Sequence, residues 1–239
     1  MRNIVTIMRR ELSSYFLSPI IYILLALFVL IYGFFFILMF LGRGNGGIAN
    51  LQYSFGDLVI VFLIIIPLLT MRSLAEERKL GTEEFLMTSP ITSAEIVLGK
   101  MAALTVSFLI IISTILVHLF IVLTIARPEL GPIISSFIGL FLLGLTFLSI
   151  GLFTSSLTDN QIVAGAVSFT ILLLLWLVNW LAGAFTGVMS QIFNSISLIN
   201  YFADFTKGIL DTANIIFYLS VTALFIFLTI RQVEARRWR

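Results

Sequence analysis

Six long apolar runs dominate the chain, over residues 20–41, 55–71, 97–125, 133–157, 162–184 and 212–230. A helix needs about 20 such residues to cross a bilayer. The second and sixth runs are the shortest and borrow flanking residues, such as Phe55 before one and Thr212 to Asn214 before the other. The pattern predicts an all-α polytopic membrane protein with six transmembrane helices in a single domain, 1–239. No repeat, low-complexity tract or soluble domain interrupts it.

The start has a different periodicity. At 100° per residue, Ile4, Val5, Met8, Leu12, Tyr15 and Phe16 share an arc of about 120°, with Thr6, Arg10, Ser13 and Ser14 opposite. This predicts an interfacial amphipathic helix over 3–17, lying flat on one leaflet with Arg9 and Arg10 near lipid phosphates. Pro19 then turns the chain into the first span. That span is longer than a signal-peptide core and lacks a small-residue cleavage pattern after it, so it is read as retained.

Composition agrees with the spans. The 239 residues are 60% hydrophobic and 11% charged, against roughly 25% charged in a soluble domain. Disordered, secreted-globular and nucleic-acid-binding classes are excluded. The absence of cysteine rules out disulfides and Cys-based metal, haem or iron–sulfur sites. Eleven of the 14 Lys and Arg fall in the N-terminal segment (Arg2, Arg9, Arg10), the loop after the second span (Arg72, Arg78, Lys79, Lys100) and the C-terminus (Arg231, Arg236, Arg237, Arg239). Only Arg43, Arg127 and Lys207 lie on the other side. Lys and Arg concentrate in cytoplasmic loops, so both termini are expected in the cytoplasm and the chain in the plasma (inner) membrane.

The spans offer little chemistry. All 12 acids and 14 bases lie outside or at the edges of the apolar runs, whereas an ion-coupled transporter usually carries intramembrane charges. His118 has no partner for a proton relay and is read as a structural polar residue. Asn179, Trp176 and Trp180 are read as packing and interfacial anchors. No Gly-x-Ser-x-Gly elbow supports an intramembrane hydrolase, one histidine does not make a zinc site, and no Walker-type motif is present. The chain is therefore not expected to be an enzyme. Gly144 and Gly151 share one face of the fourth span, and Ala164 and Ser168 form a small-xxx-small pair in the fifth. Such residues let helices approach closely in lipid.

The most informative stretch is 72–100. Glu76 to Lys79 form a charged patch, and Gly81 breaks the helix leaving the second span. Thr82 can cap a short helix whose first turn carries Glu83 and Glu84, favourable against the dipole. Ser89-Pro90 ends it, and Thr92-x-x-Glu95 is a capping box opening the next helix. If that helix runs over 93–125 it extends about 50 Å at 1.5 Å per residue, well beyond a hydrocarbon core of about 30 Å. A transverse helix between two protruding helix ends fits these residues. A solvated charged turn fits them as well.

These residues resemble the type-2 (exporter-type) ABC permeases. The match runs through Glu76-Glu77-Arg78-Lys79, Gly81-Thr82, Glu84, Leu86, Ser89-Pro90 and Ile96, Leu98-Gly99-Lys100. Residues 67–73, 160–163 and 200–208 make the chain most similar to the gliding-motility-associated permease group. The resemblance implies a coupling helix over 82–87 that docks in a separate ABC ATPase subunit. Glu76, Glu77, Arg78, Gly81, Thr82, Glu83, Glu84, Phe85, Leu86, Ser89 and Pro90 would then shape the contact. Asp159, Asn160 and Gln161 would lie in a second, smaller cytoplasmic loop. Residues 187–208 would form short helices dipping into the outer leaflet. ATP and Mg would be bound by the ATPase, with no cofactor on this chain.

The family works as a permease dimer, so a homodimer or a pair with a sister permease is implied, and an auxiliary extracytoplasmic membrane subunit fits the same scheme. The expected function is the transmembrane permease subunit of an ATP-driven exporter. The alternative is a non-transporting scaffold or mechanical component anchoring an ABC-type ATPase.

Overall fold

A computed structural model describes residues 2–42, 52–82, 91–125, 128–185 and 187–237. They form eleven helices with no strand among the described residues. In chain order these are α1 (Arg2–Leu17), α2 (Pro19–Gly42), α3 (Gln52–Thr70), α4 (Ala75–Lys79), α5 (Ser93–Ser113) and α6 (Ile115–Ile125). There follow α7 (Leu130–Ser155), α8 (Gln161–Ala184), α9 (Val188–Ile196), α10 (Leu198–Thr206) and α11 (Thr212–Arg237). Six are long and apolar enough to cross a membrane: α2, α3, α5 with α6, α7, α8 and α11.

The apolar runs alone do not say which helices sit inside. The structure places α3 and α7 at the centre, most of their length buried, while α2, α8 and α11 bury far less. Small side chains account for the position of α7. Close approach in lipid needs small side chains, and α7 supplies Gly139, Gly144 and Gly151. The Phe108 ring of α5 lies against Gly144, Thr70 of α3 against Gly151, and a Cβ on Gly139 would stand 2.6 Å from that of Phe205 in α10. Ala164 and Ser168 of α8 are fully buried. An aromatic row continues across the bundle from Phe108 to Phe62 (5.1 Å between centroids) and on to Phe28 of α2.

The buried hydroxyls of α7 are mostly satisfied by backbone carbonyls, as polar groups must be where water is absent. Thr146 Oγ1 donates to the Leu142 carbonyl at 3.1 Å and lies 3.3 Å from the Tyr218 carbonyl and 3.1 Å from Thr222 Oγ1, both on α11.

The single helix expected over 93–125 is instead two helices in succession, α5 and α6, joined at Thr114. The Thr114 hydroxyl donates to the Ile111 carbonyl at 2.7 Å. Such a back-bond competes with the regular ladder and bends helices. His118, one turn beyond, sits edge-on to Tyr32 (4.7 Å) and Phe36 (5.1 Å) of α2. It serves there as a packed polar residue between helices.

The amphipathic helix α1 packs on more protein than its sequence suggests. Ile7 and Tyr15 are buried, and Val5 and Arg9 are exposed. The protein-facing side runs through Ile4, Ile7, Glu11 and Tyr15, and it lies on α5; Ile4 and Tyr15 are one edge of the predicted arc, whereas Ile7 and Glu11 lie outside it. Burial pushes the Tyr15 phenol above its ordinary range. At the far end of the bundle, α9 and α10 precede α11. Leu198, Phe202 and Phe205 of α10 are buried, and the Tyr218 hydroxyl donates to the Leu198 carbonyl at 2.6 Å.

Candidate functional site

Helix α1, the end of α11, the 71–82 segment, the start of α5 and the α7–α8 turn meet at one end of the bundle, and most of the charge among the described residues is there. Local sequence explains how each piece is held. Past α3 the chain turns at 71–74, and Ser155 of α7 secures the turn. Its Oγ accepts from the Leu74 and Ala75 N–H groups at 3.1 Å each and donates to the Met71 carbonyl at 3.1 Å. Helix α4 then runs to Lys79 and stops in a Schellman motif. The Gly81 N–H reaches the Arg78 carbonyl (3.0 Å), and the Thr82 N–H reaches that of Glu77 (2.9 Å). Gly81 sits at φ +70, a left-handed conformation that a glycine adopts without a Cβ penalty.

The acids and bases of this end are cross-linked. Arg72 makes a forked pair with Glu76, at 2.7 and 2.6 Å, and its Nη1 donates to Ser18 Oγ at 3.2 Å. Lys100 of α5 is 1% exposed. Its Nζ donates to the Ser73 carbonyl at 2.7 Å and to Glu11 Oε1 at 2.9 Å, and pairs with Glu77 Oε2 at 2.9 Å. Arg10 Nη2 donates to the other Glu77 oxygen at 2.7 Å. Two bases and two acids thus form a neutral cluster joining α1, α4 and α5. Arg78 donates to the Ser156 carbonyl at the end of α7.

The smaller loop is held from the other side. Arg236 of α11 donates to the Leu157 carbonyl at 3.2 Å and pairs with Asp159 at 3.3 Å. Asn160 caps α8 by accepting from the Ile162 and Val163 N–H groups, and Gln161 is the first residue of that helix. At the start of α5 the capping box is present: the Glu95 N–H donates to Thr92 Oγ1 at 3.2 Å and Thr92 N–H donates to Glu95 Oε2 at 3.1 Å. Asn3 of α1 donates to the second Glu95 oxygen at 3.1 Å.

Of the residues expected to couple to an ATPase, Glu76, Glu77 and Arg78 therefore have partners within the chain, and Gly81 and Thr82 form the turn that ends α4. Glu83, Glu84, Phe85, Leu86, Ser89 and Pro90 lie outside the described residues, and with them all but the first residue of the expected transverse helix. Sequence reasoning missed Glu11 and Lys100 as a pair. It placed Lys100 at the edge of its span, where the structure buries it. The signal available was a lysine one turn inside an apolar helix, since a buried ammonium needs paired and hydrogen-bonded partners. No group of His, Cys, Asp or Glu suited to a metal occurs among the described residues.

Six apolar helices, two of them enclosed by the rest, with a cross-braced charged end, define a polytopic integral membrane protein. The chain belongs to the ABC-2 transporter family: the family profile described as ABC-2 family transporter protein matches residues 5–233. It is a membrane permease component of an ABC transporter, and this component is distinct from the ATPase that such a family implies as partner. No curated protein matches the chain in sequence.

Proposed function

We propose that this chain is the transmembrane permease subunit of an ATP-driven exporter. It sits in the plasma (inner) membrane with both termini in the cytoplasm, paired with a second permease copy or sister. Its ATPase would dock on the 82–90 segment, with Asp159, Asn160 and Gln161 beside it. Residues 67–73, 160–163 and 200–208 support placing it with the gliding-motility-associated permease group, which they resemble.

One observation carries this reading. The segment is reached through α4, and α4 is tied to α7 by Arg78 and Ser155, to α5 by the Glu77–Lys100 pair and to α1 by the Glu77–Arg10 pair. A platform fixed to three helices suits the transmission of force, whereas a plain connection between α3 and α5 needs none of these ties.

The test is charge reversal at the docking segment. Glu84→Lys opposes a helix dipole at a cost of about 0.3–1 kcal/mol, which a six-helix bundle should survive. Losing one partner of a docked charge pair costs roughly 2–5 kcal/mol. The variant should insert and dimerise normally but lose ATPase co-purification and permease-stimulated hydrolysis. Unchanged binding and hydrolysis across substitutions of Glu84, Phe85 and Leu86 would refute the docking role. Intact coupling with no solute moved in proteoliposomes would favour the scaffold or mechanical reading.

A further inference from the structure

We propose that Lys100 and Glu11 are positioning residues that carry movement of α4 into α5 and α1. This rests on the permease reading above and deepens it.

The geometry supports a relay rather than a passive tie. Glu77 is the shared element, with one carboxylate oxygen on Lys100 and the other on Arg10 of α1. It stands on α4, five residues before Thr82, so any displacement of the segment beyond is applied directly to it. Lys100 cannot release Glu77 into nothing, because a buried charge left uncompensated is strongly unfavourable. An ammonium has three donors; here two go to the Ser73 carbonyl and Glu11, and Glu77 Oε2 stands 2.9 Å away as the second charge partner. When Glu77 moves, two responses keep the charge satisfied. Either Lys100 follows and draws α5 with it, or it stays on Glu11 and Arg10 follows Glu77, which shifts α1 relative to α5.

Both responses end in the same pair of helices. Gly99, the neighbour of Lys100, is packed against Ile7 of α1, so a displacement of α5 or of α1 changes how the two helices sit against each other. Arg10 also lies 3.7 Å from Glu11, so the two acids keep a base when Lys100 is removed.

The experiment uses the full chain, reconstituted with its ATPase in nanodiscs. Spin labels on Thr6→Cys of α1 and Ser113→Cys of α5 report their separation with and without ATP, the chain having no cysteine of its own. The wild-type background should show an ATP-dependent change in distance. Lys100→Met should bind the ATPase as the wild type does but lose the distance change. Its permease-stimulated hydrolysis should fall about tenfold, within the usual range of coupling between sites. Glu11→Gln, which leaves the Lys100–Glu77 pair intact, is the second variant should Lys100→Met fail to yield a monodisperse protein, and it should show a reduced distance change.

A wild-type distance change and wild-type stimulation in both variants would overturn the proposal while leaving the permease reading in place. Loss of ATPase binding in the variants would also overturn it, by reassigning the cluster to the docking surface. Absence of any ATPase binding by the wild type would instead bring down the permease reading itself.

Discussion

Gly99 of α5 and Ile7 of α1 are in direct contact: a Cβ placed on Gly99 would stand 2.8 Å from the Ile7 Cβ and 3.2 Å from the Ile4 carbonyl oxygen. The amphipathic helix can lie where it does only because residue 99 has no side chain. Gly99→Val should therefore push α1 away from α5 at about 1–3 kcal/mol, the usual cost of overpacking. Gly56 of α3 has nothing within 4 Å of its would-be Cβ, so Gly56→Ala should be neutral or gain up to about 1 kcal/mol from helix propensity. Thermal unfolding of the two variants in detergent checks the opposite signs.

The Ser155 hydroxyl serves three backbone groups of the 71–75 turn. Ser155→Ala leaves the buried Leu74 and Ala75 N–H groups unsatisfied, and such a loss costs about 1–3 kcal/mol. The effect should be local. Hydrogen exchange should accelerate over 71–80 and remain unchanged in α8.

At the centre of the bundle the Phe108 ring fills the space beside Gly144. Gly144→Ala should destabilise by about 1–3 kcal/mol through overpacking. In Gly144→Ala/Phe108→Leu the smaller partner makes room, so the double variant should lose less than the two single losses combined. A double-mutant cycle on unfolding midpoints reads this coupling, and strict additivity would contradict the contact.

The proposed orientation is open to a thiol test, because the chain contains no cysteine. Ser14 on α1 and Gln191 on α9 are both exposed, near opposite ends of the bundle. An impermeant reagent added to intact cells should label Gln191→Cys and leave Ser14→Cys unlabelled until the membrane is broken. The reverse pattern would invert the topology.

What the sequence made legible was local. Runs of apolar residues mark the six spans, although polar residues carry α3 back to Gln52 and α11 out to Arg237, because a helix does not end where its apolar stretch does. The Thr92–Glu95 capping box and the break at Gly81 could be read from a few adjacent residues. Pairing across the chain could not. Glu11 and Lys100 are separated by 89 residues, and nothing local links them. By hydropathy α3 and α8 look alike, yet one is enclosed and the other mostly open. Glu77 and Arg78, read as shaping a contact with a partner chain, also have partners in their own chain, Lys100 and the Ser156 carbonyl. A charged motif in one sequence does not distinguish an acid facing outward from one holding its own scaffold together.

The hydroxyl of Thr146 has a consequence for biogenesis. It meets the Tyr218 carbonyl and Thr222 of α11, and α11 is synthesised well after α7 has left the ribosome. Until then α7 must wait in the bilayer with glycines and hydroxyls along faces meant for protein, a poor fit to lipid. Insertion and final packing therefore cannot proceed at the same pace as translation. Nascent chains halted before Thr212 should hold α7 loosely and crosslink from that helix to the insertion machinery, and crosslinks from Thr146 should vanish once α11 has emerged.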